Sequence, residues 1–290
     1  MGPFRVCLTA LTALLVALAA PPAAGAPAEP APRGQTRDFT YDGQDIGHPE
    51  RAYRGRVFVP AATAARAKQQ PVPLIVFIHG TNAEAIDFRW MGGGREGDVR
   101  RIVAALVEEK QIEPAVVAAP SATLRAAIVN AHTSWPAFDL DRFVSRTVRE
   151  LRGTARIDLG RVIVVGHSGA GCNRQGGLLA TLNAVLRPFA ILSIDTCMSP
   201  NTAPLLALTD HRTKVIVSWQ THSWSSRALG AFAKAFRHAV TEAGFPPDTI
   251  RELEHRRNIK QPMPHDAMVP LTLNRWLPRL IGKTTEAGAD

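Results

Sequence analysis

The most informative part of the sequence is Arg161-Val162-Ile163-Val164-Val165-Gly166-His167-Ser168-Gly169-Ala170-Gly171. Its first half contains four consecutive apolar residues, all β-branched, which is typical of a strand buried on both faces of a parallel sheet. Its second half places glycines around His167 and Ser168, and residues 172–186 then have a helical pattern. The sequence therefore predicts a strand that turns sharply into a helix, with the Ser168 hydroxyl projecting from a strained turn.

The spacing of the glycines distinguishes this turn from two other glycine-rich motifs. Glycines at 166, 169 and 171 do not match the G-x-G-x-x-G of a dinucleotide site, and Gly171 precedes Cys172 rather than the lysine of a P-loop. The pattern instead matches the nucleophile elbow G-x-S-x-G, with Ala170 in place of the last glycine. Alanine is small enough for the helix to pack closely. An ordinary strand–helix turn with an incidental serine is the alternative interpretation.

Size and charge exclude some classes of function. The 290 residues are 46% hydrophobic and 20% charged, which is enough apolar material for one large α/β domain or two small ones. The net charge is +9, but the basic residues are scattered, with no clustered patch or known module, so a nucleic-acid partner is not expected. The charge is compatible with weak contact with anionic envelope surfaces, and a solvated surface explains it equally.

Residues 1–26 have the three parts of a secretory signal peptide. Arg5 supplies the positive charge, 8–20 is the apolar core, and Ala24-Gly25-Ala26 fits the small-x-small cleavage pattern. Cleavage after Ala28 and an uncleaved membrane anchor are the alternatives. Residues 27–37 are rich in proline and alanine and are predicted as a linker. We therefore expect a secreted or periplasmic protein.

Removal of the signal peptide would remove Cys7 and leave two cysteines, Cys172 and Cys197, an even number that can pair. Cys172 lies one helical turn after Ser168, and Cys197 follows the next predicted strand. Because adjacent parallel strands bring these two places together, we predict a Cys172–Cys197 disulfide. Two buried thiols are the alternative.

Strands and helices alternate from residue 74 onward. This order predicts one mostly parallel sheet with helices on both faces, preceded by an antiparallel start at 38–44 and 53–60. Residues 61–70 are expected to be a polar connection. The predicted strands are 74–80, 114–119, 161–165, 189–194, 213–219 and 249–254, and the predicted helices are 98–110, 139–152, 172–186, 227–243 and 266–281.

From about residue 38 to the end, the chain resembles the α/β-hydrolase superfamily. The residues that carry the resemblance are His79-Gly80 at a strand end, the elbow at 166–170, and His265-Asp266 before the last helix. The resemblance implies a single catalytic domain over 38–290, with a nucleophile, an acid and a histidine in that order. Acyl transfer needs these three groups because a serine hydroxyl is a weak nucleophile, and it also needs donors for the oxyanion.

The resemblance also implies individual roles. Ser168 corresponds to the nucleophile, the N–H of Gly169 to one oxyanion donor, and Thr81 or Asn82 to the second. His265 corresponds to the base; His255 and His222 are the lesser candidates. The histidines His79 and His167 are expected to shape their turns rather than to transfer protons.

The acid departs from the superfamily's commonest pattern. No Asp or Glu follows the 213–219 strand, since 220–227 contains neither. Asp195, at the end of the preceding strand, is the best substitute, although it could simply cap backbone groups of its loop. Asp266 is predicted to be the N-cap of the last helix.

The region around these residues suggests an open site. Only a short stretch separates Asp195 from the next strand, so no large cap domain is expected. Aromatic and histidine side chains on strand-end loops are candidates for the substrate pocket, although two or more tryptophans packing in the core is the alternative. These candidates are Trp90, Trp135, Trp219, His222 and Trp224.

Together these features predict an exported serine hydrolase that cleaves carboxylic esters of small molecules or polymers. An amidase, a peptidase or an acyltransferase would use the same residues, and a non-catalytic binding protein on a hydrolase scaffold is the alternative of a different class. No cofactor or metal motif occurs in the sequence, so neither is expected.

Overall fold

Eight strands form one mixed sheet in the computed structural model, which describes residues 30–41, 53–121, 135–136, 138–221, 226–257, 259 and 264–282. The order across the sheet is β1-β2-β4-β3-β5-β6-β7-β8. The strands are β1 (Gly34–Tyr41), β2 (Tyr53–Pro60), β3 (Val72–Ile78), β4 (Val116–Ser121), β5 (Ile157–His167), β6 (Ala190–Ile194), β7 (Lys214–Gln220) and β8 (Arg251–Arg256).

The strand directions agree with the sequence pattern. β2 pairs antiparallel with β1 and with β4, and every other neighbouring pair is parallel. All seven residues of β3 are buried, as expected of a parallel strand that is covered on both faces. The carboxyl ends of β3, β5, β6 and β7 therefore lie at the same edge of the sheet.

Helices cover both faces. Those of the described residues are α1 (Ala61–Gln69), α2 (Val99–Glu108), α3 (Leu140–Glu150), α4 (Gly177–Ala180), α5 (Ala203–Ala207), α6 (Ser226–Ala243) and α7 (Pro264–Ile281). Side chains of α2 and α7 pack with Ile75 and Phe77 of β3 on one face. Side chains of α1, α3, α4, α5 and α6 pack with Leu74, Val76 and Ile78 on the other. The alternation along β3 thus divides the core into two layers.

Three predicted elements are wrong. Residues 172–186 do not form one helix: α4 is a single turn between 3₁₀ turns at Ser168–Gly171 and Thr181–Asn183. The helical pattern is overridden because Gly177 adopts φ +50° and the Asn173 side chain accepts from the N–H of Gln175, which favours a turn. Residues 61–69 form α1 rather than a polar connection. Residues 34–37, expected in the linker, pair with β2.

Only short helical segments lie between β6 and β7, so this connection contains no large cap, as predicted. The last helix is continuous through Pro270 and Pro278. Among the residues that the structure describes, every helix is too short or too polar to span a bilayer.

Candidate active site

β5 ends in a strained turn at Ser168. His167 is still extended, whereas Ser168 has φ 57° and begins the 3₁₀ turn, a conformation that costs energy for any residue with a Cβ. Gly166 permits the close passage of the chain, because a Cβ there would lie 2.9 Å from the Cβ of Leu178. The strained turn and its small neighbour are therefore as the elbow interpretation predicts.

The loop after β3 lies directly against this turn. A Cβ on Gly80 would lie 2.8 Å from Ser168 Oγ and 2.9 Å from the backbone nitrogen of Gly169. Thr81 and Asn82, the predicted second oxyanion donors, follow immediately. Asn82 is buried and its side chain closes the loop, since Oδ1 accepts from the N–H of Ile86 at 2.9 Å and Nδ2 donates to its carbonyl at 2.8 Å.

His79 shapes this loop from inside the protein. Its Nδ1 lies 2.8 Å from the Gly80 carbonyl oxygen, and its own carbonyl accepts from Trp135 Nε1 at 2.8 Å. Burial lowers the pKa of His79 to about 4, so the ring is neutral at pH 7 and donates through Nδ1–H. These contacts fit the predicted shaping role.

His265 and Asp195 meet across 70 positions of sequence. His265 Nδ1 lies 2.6 Å from Asp195 Oδ2, and Asp195 is fully buried at the end of β6 with φ 45°. Gln220, at the end of β7, donates Nε2–H to the same oxygen at 3.2 Å. When Nδ1–H donates to a carboxylate, Nε2 is the ring atom that can accept a proton. Gln220 thus occupies the strand end where the commonest pattern has its acid.

α7 places His265 beside the elbow. The helix begins at Pro264, so His265 lies in its first turn rather than in a loop, and Asp266 lies inside the helix rather than at its N-cap. His167 Nε2 is 3.2 Å from the His265 carbonyl oxygen, and the two rings are 4.5 Å apart. Burial and the neighbouring His265 lower the pKa of His167 well below its usual value, so the neutral ring donates to that carbonyl.

Glu254 of β8 fixes the body of α7. Its Oε2 accepts from Trp276 Nε1 at 2.8 Å and from Ser218 Oγ at 2.9 Å, while its Oε1 lies 3.2 Å from Arg275 Nε. Charge-assisted hydrogen bonds of this kind hold the helix against β7 and β8. The position of His265 is therefore fixed by contacts at the first turn of α7 and by the contacts of Glu254 with the body of that helix.

A disulfide joins the two loops that carry Ser168 and Asp195. Cys172 and Cys197 are bonded, with their Cα atoms 4.9 Å apart. Cys172 follows Ser168 by one turn, and Cys197 comes two residues after Asp195. The predicted pairing is confirmed, and the alternative of two buried thiols is wrong.

His167, His265 and Asp266 offer metal-ligating atoms that lie within 4.8 Å of one another. Nε2 of His167 already donates to the His265 carbonyl, so a metal bound there would cost this hydrogen bond. Burial raises the pKa of Asp266, which makes it a weaker anionic ligand than an exposed carboxylate. These contacts make the three residues a poor set of metal ligands.

The tryptophans correct the predicted pocket. Trp90 and Trp135 are each 1% exposed and Trp219 is 5% exposed, so they pack inside the protein instead of lining a pocket. Trp90 contacts Phe77 and His167, and Trp219 stacks on His255 with 5.4 Å between the ring centroids. His222 and Trp224 lie outside the described residues.

Of the candidate bases that the structure describes, His265 is the one bonded to Asp195. His255 instead stacks on Trp219, and its Nε2 lies 3.4 Å from Thr221 Oγ1. Two further residues near the site, Gln220 and Arg89, carry no signal in the sequence. Neither belongs to a motif. Gln220 reaches Asp195 because β6 and β7 end side by side, and Arg89 reaches Thr81 across the loop between β3 and α2.

Comparisons with known proteins support the fold. No protein-family model and no curated protein sequence matches the chain. A ferulic acid esterase structure is similar, with TM-score 0.59 and 14% identity over 86% of this chain and 98% of that one. So is the ferric enterobactin esterase of Salmonella typhimurium, with TM-score 0.55 and 15% identity over 87% of this chain and 59% of that one.

A third similar structure is FphF, a fluorophosphonate-binding serine hydrolase of Staphylococcus aureus. It has TM-score 0.54 and 11% identity over 86% of this chain and 98% of that one. Identities this low establish the fold alone. The strand order, the sharp turn at Ser168 and these similarities together show that the chain has the α/β-hydrolase fold that its sequence predicts.

Proposed function

We propose that the protein is an exported serine hydrolase that cleaves carboxylic esters through an acyl-enzyme on Ser168. The observation that carries the proposal is the 2.6 Å hydrogen bond between His265 and Asp195. His265 lies on α7, and the contact of His167 with its carbonyl holds that helix beside the elbow. A buried carboxylate that orients a histidine next to a strained serine is the arrangement that acyl transfer requires.

In the proposed reaction, His265 Nε2 takes the proton from Ser168 Oγ as the oxygen attacks the ester carbonyl carbon. The N–H groups of Gly169 and of Thr81 or Asn82 would donate to the developing oxyanion. Collapse of the tetrahedral intermediate breaks the ester C–O bond, and His265 passes its proton to the departing alcohol. Water then attacks the acyl-enzyme with His265 again as base, which releases the acid and restores Ser168.

Esters are favoured over other acyl substrates because two of the similar structures are named as esterases. The same groups would serve an amidase, a peptidase or an acyltransferase, which therefore remain the alternatives within the enzyme class. The absence of an acid directly after β7 would fit a non-catalytic binding protein. The hydrogen bonds from Gln220 and His265 to Asp195 support the enzyme instead.

The test is hydrolysis of p-nitrophenyl acetate and butyrate by the protein and by Ser168→Ala. We expect turnover to fall by about 10⁴-fold or more, because the acyl group has no other acceptor. Ser145→Ala is the matched control, since this serine is exposed on α3. A fluorophosphonate probe should label the wild type and Ser145→Ala but not Ser168→Ala. Full turnover by Ser168→Ala would disprove the acyl-enzyme.

We also propose that residues 1–26 direct export and are removed. The Cys172–Cys197 disulfide supports this, because such bonds persist in oxidising compartments. N-terminal sequencing of the protein recovered from the periplasm or medium should give Pro27 as the first residue, or Glu29 if cleavage follows Ala28. Recovery of the whole protein in the cytoplasm with Met1 or Gly2 at its N-terminus would contradict this proposal.

A further inference from the structure

We propose that Arg89 is a positioning residue that holds the oxyanion donors in place for ester hydrolysis. This inference rests on the proposed function and adds to it a residue that no motif identifies. Arg89 lies in the loop between β3 and α2, and its Nη1 donates to the carbonyl oxygen of Thr81. Thr81 directly follows the glycine that lies against Ser168 Oγ.

Side chains hold three successive carbonyl groups of residues 79–82, which we call the oxyanion loop. Trp135 Nε1 donates to the carbonyl of His79, His79 Nδ1 donates to that of Gly80, and Arg89 donates to that of Thr81. Each of these donors is a side chain rather than a regular secondary-structure partner. The conformation of the loop therefore depends on these three groups.

The carbonyl contacts determine where the donors point. In a planar trans peptide, the C=O of one residue and the N–H of the next point in opposite directions. The bond from His79 to Gly80 therefore sets the direction of the Thr81 N–H, and the bond from Arg89 to Thr81 sets that of the Asn82 N–H. Each predicted oxyanion donor is thus oriented by a hydrogen bond to the carbonyl group of its own peptide plane.

Arg89 is itself fixed in position. Its Nη2 lies 2.5 Å from Glu96 Oε1, and both side chains are largely buried, with exposures of 23% and 16%. Arginine suits this position because its planar fork offers two nitrogens at fixed angles, one for Thr81 and one for Glu96. A lysine carries its three donors on a single nitrogen, so it cannot hold Thr81 and Glu96 from two separate atoms at fixed angles.

The positive charge of Arg89 also supports stabilisation of the oxyanion, in addition to its hydrogen bond to the loop. Its positive charge contributes to the lowered pKa of both His79 and His167, so the guanidinium lies close to the site. Arg89 itself bonds the oxyanion loop, so its cation favours the negative charge that develops on the substrate oxygen, and the paired Glu96 carboxylate reduces this effect. Other arginines near this loop have different partners: Arg54 pairs with Asp87, and Arg56 donates to the Met91 carbonyl.

The experiment compares Arg89→Ala, Arg89→Lys and the matched control Arg95→Ala in p-nitrophenyl butyrate hydrolysis. Arg95 is an exposed cation of the same loop. Rates are divided by the concentration of active sites, measured as the amount of fluorophosphonate bound when its reaction is complete, so that unfolded protein does not contribute. We expect Arg89→Ala to lower kcat by about 10- to 100-fold with KM within about threefold, and Arg89→Lys to be intermediate.

A trifluoromethyl ketone, which forms an oxyanion on Ser168, supplies a readout that a purely structural role would not change. Its affinity should fall in Arg89→Ala by about the same factor as kcat/KM, as expected for lost transition-state stabilisation. The inference is overturned if per-site kcat in Arg89→Ala stays within about twofold of Arg95→Ala, or if ketone affinity is unchanged. If the wild type neither hydrolyses esters nor reacts with the probe, the proposed function fails and the inference fails with it.

Discussion

Replacing Asp195 with asparagine is expected to lower kcat by roughly 10³- to 10⁴-fold without unfolding the protein. The carboxylate accepts from His265 Nδ1 at 2.6 Å and from Gln220 Nε2 at 3.2 Å through the same oxygen. An amide nitrogen placed toward His265 would turn the ring to the tautomer that carries its proton on Nε2. That tautomer cannot take the proton of Ser168.

The matched control is Asp210→Asn, which removes a carboxylate at the surface that pairs with Arg187 and Arg212. Its activity should equal that of the wild type, because Asp210 precedes β7 and so lies at the opposite edge of the sheet from the site. Steady-state kinetics of both variants, with a thermal melt of each, separates catalysis from folding. An Asp195→Asn variant that keeps about a tenth or more of wild-type kcat would show that Asp195 is not the acid.

Gly80→Ala should have a comparably large effect. The added methyl carbon would lie 2.4 Å from the Ser168 Cβ and 2.8 Å from its Oγ, closer than Cβ atoms approach other atoms. Either the strained turn or the oxyanion loop must move. Because a displacement of about 1 Å costs roughly 100-fold in rate, we expect kcat/KM for p-nitrophenyl butyrate to fall by at least that factor.

Gly230→Ala provides the control for this change. Gly230 lies on α6, and apart from its chain neighbours and the adjacent backbone of its own helix, no atom of the described residues lies within 4 Å of the methyl group that alanine would add. Activity should therefore be unchanged, while the free energy of unfolding rises by up to about 1 kcal/mol. Circular dichroism should show that Gly80→Ala remains folded. Wild-type kinetics in a folded Gly80→Ala variant would mean that the loop after β3 does not contribute to the reaction.

Local patterns account for the parts of the fold that could be predicted. The buried strands were recognisable because both faces of a parallel strand must be apolar, as in Leu74–Ile78 and Val162–Val165. The turn at Ser168 was recognisable because only small neighbours allow a strand to turn into a helix so quickly. The helix predicted at 172–186 failed because Gly176 and Gly177 interrupt a pattern of apolar residues that periodicity alone favours.

The burial of the tryptophans depends on packing. Trp90 and Trp135 lie on strand-end loops, where exposure and burial are equally compatible with the sequence. In the structure both residues have positive φ, and their rings turn inward to contact His167 and His79 respectively. Burying an aromatic ring against the core stabilises the folded chain more than exposing the ring to water, so the loops adopt conformations that bury it.

The order of the chemical groups along the chain can be read without coordinates: a serine after β5, an aspartate after β6, a cysteine near each, and a histidine close to the last helix. Which of these groups meet is a property of the folded chain. Asp195 contacts His265 from 70 positions away, and Arg89 reaches Thr81 across a loop that has no periodic pattern. Periodicity records which side of an element is apolar. Contacts between the ends of different elements depend on how the whole sheet and its helices assemble.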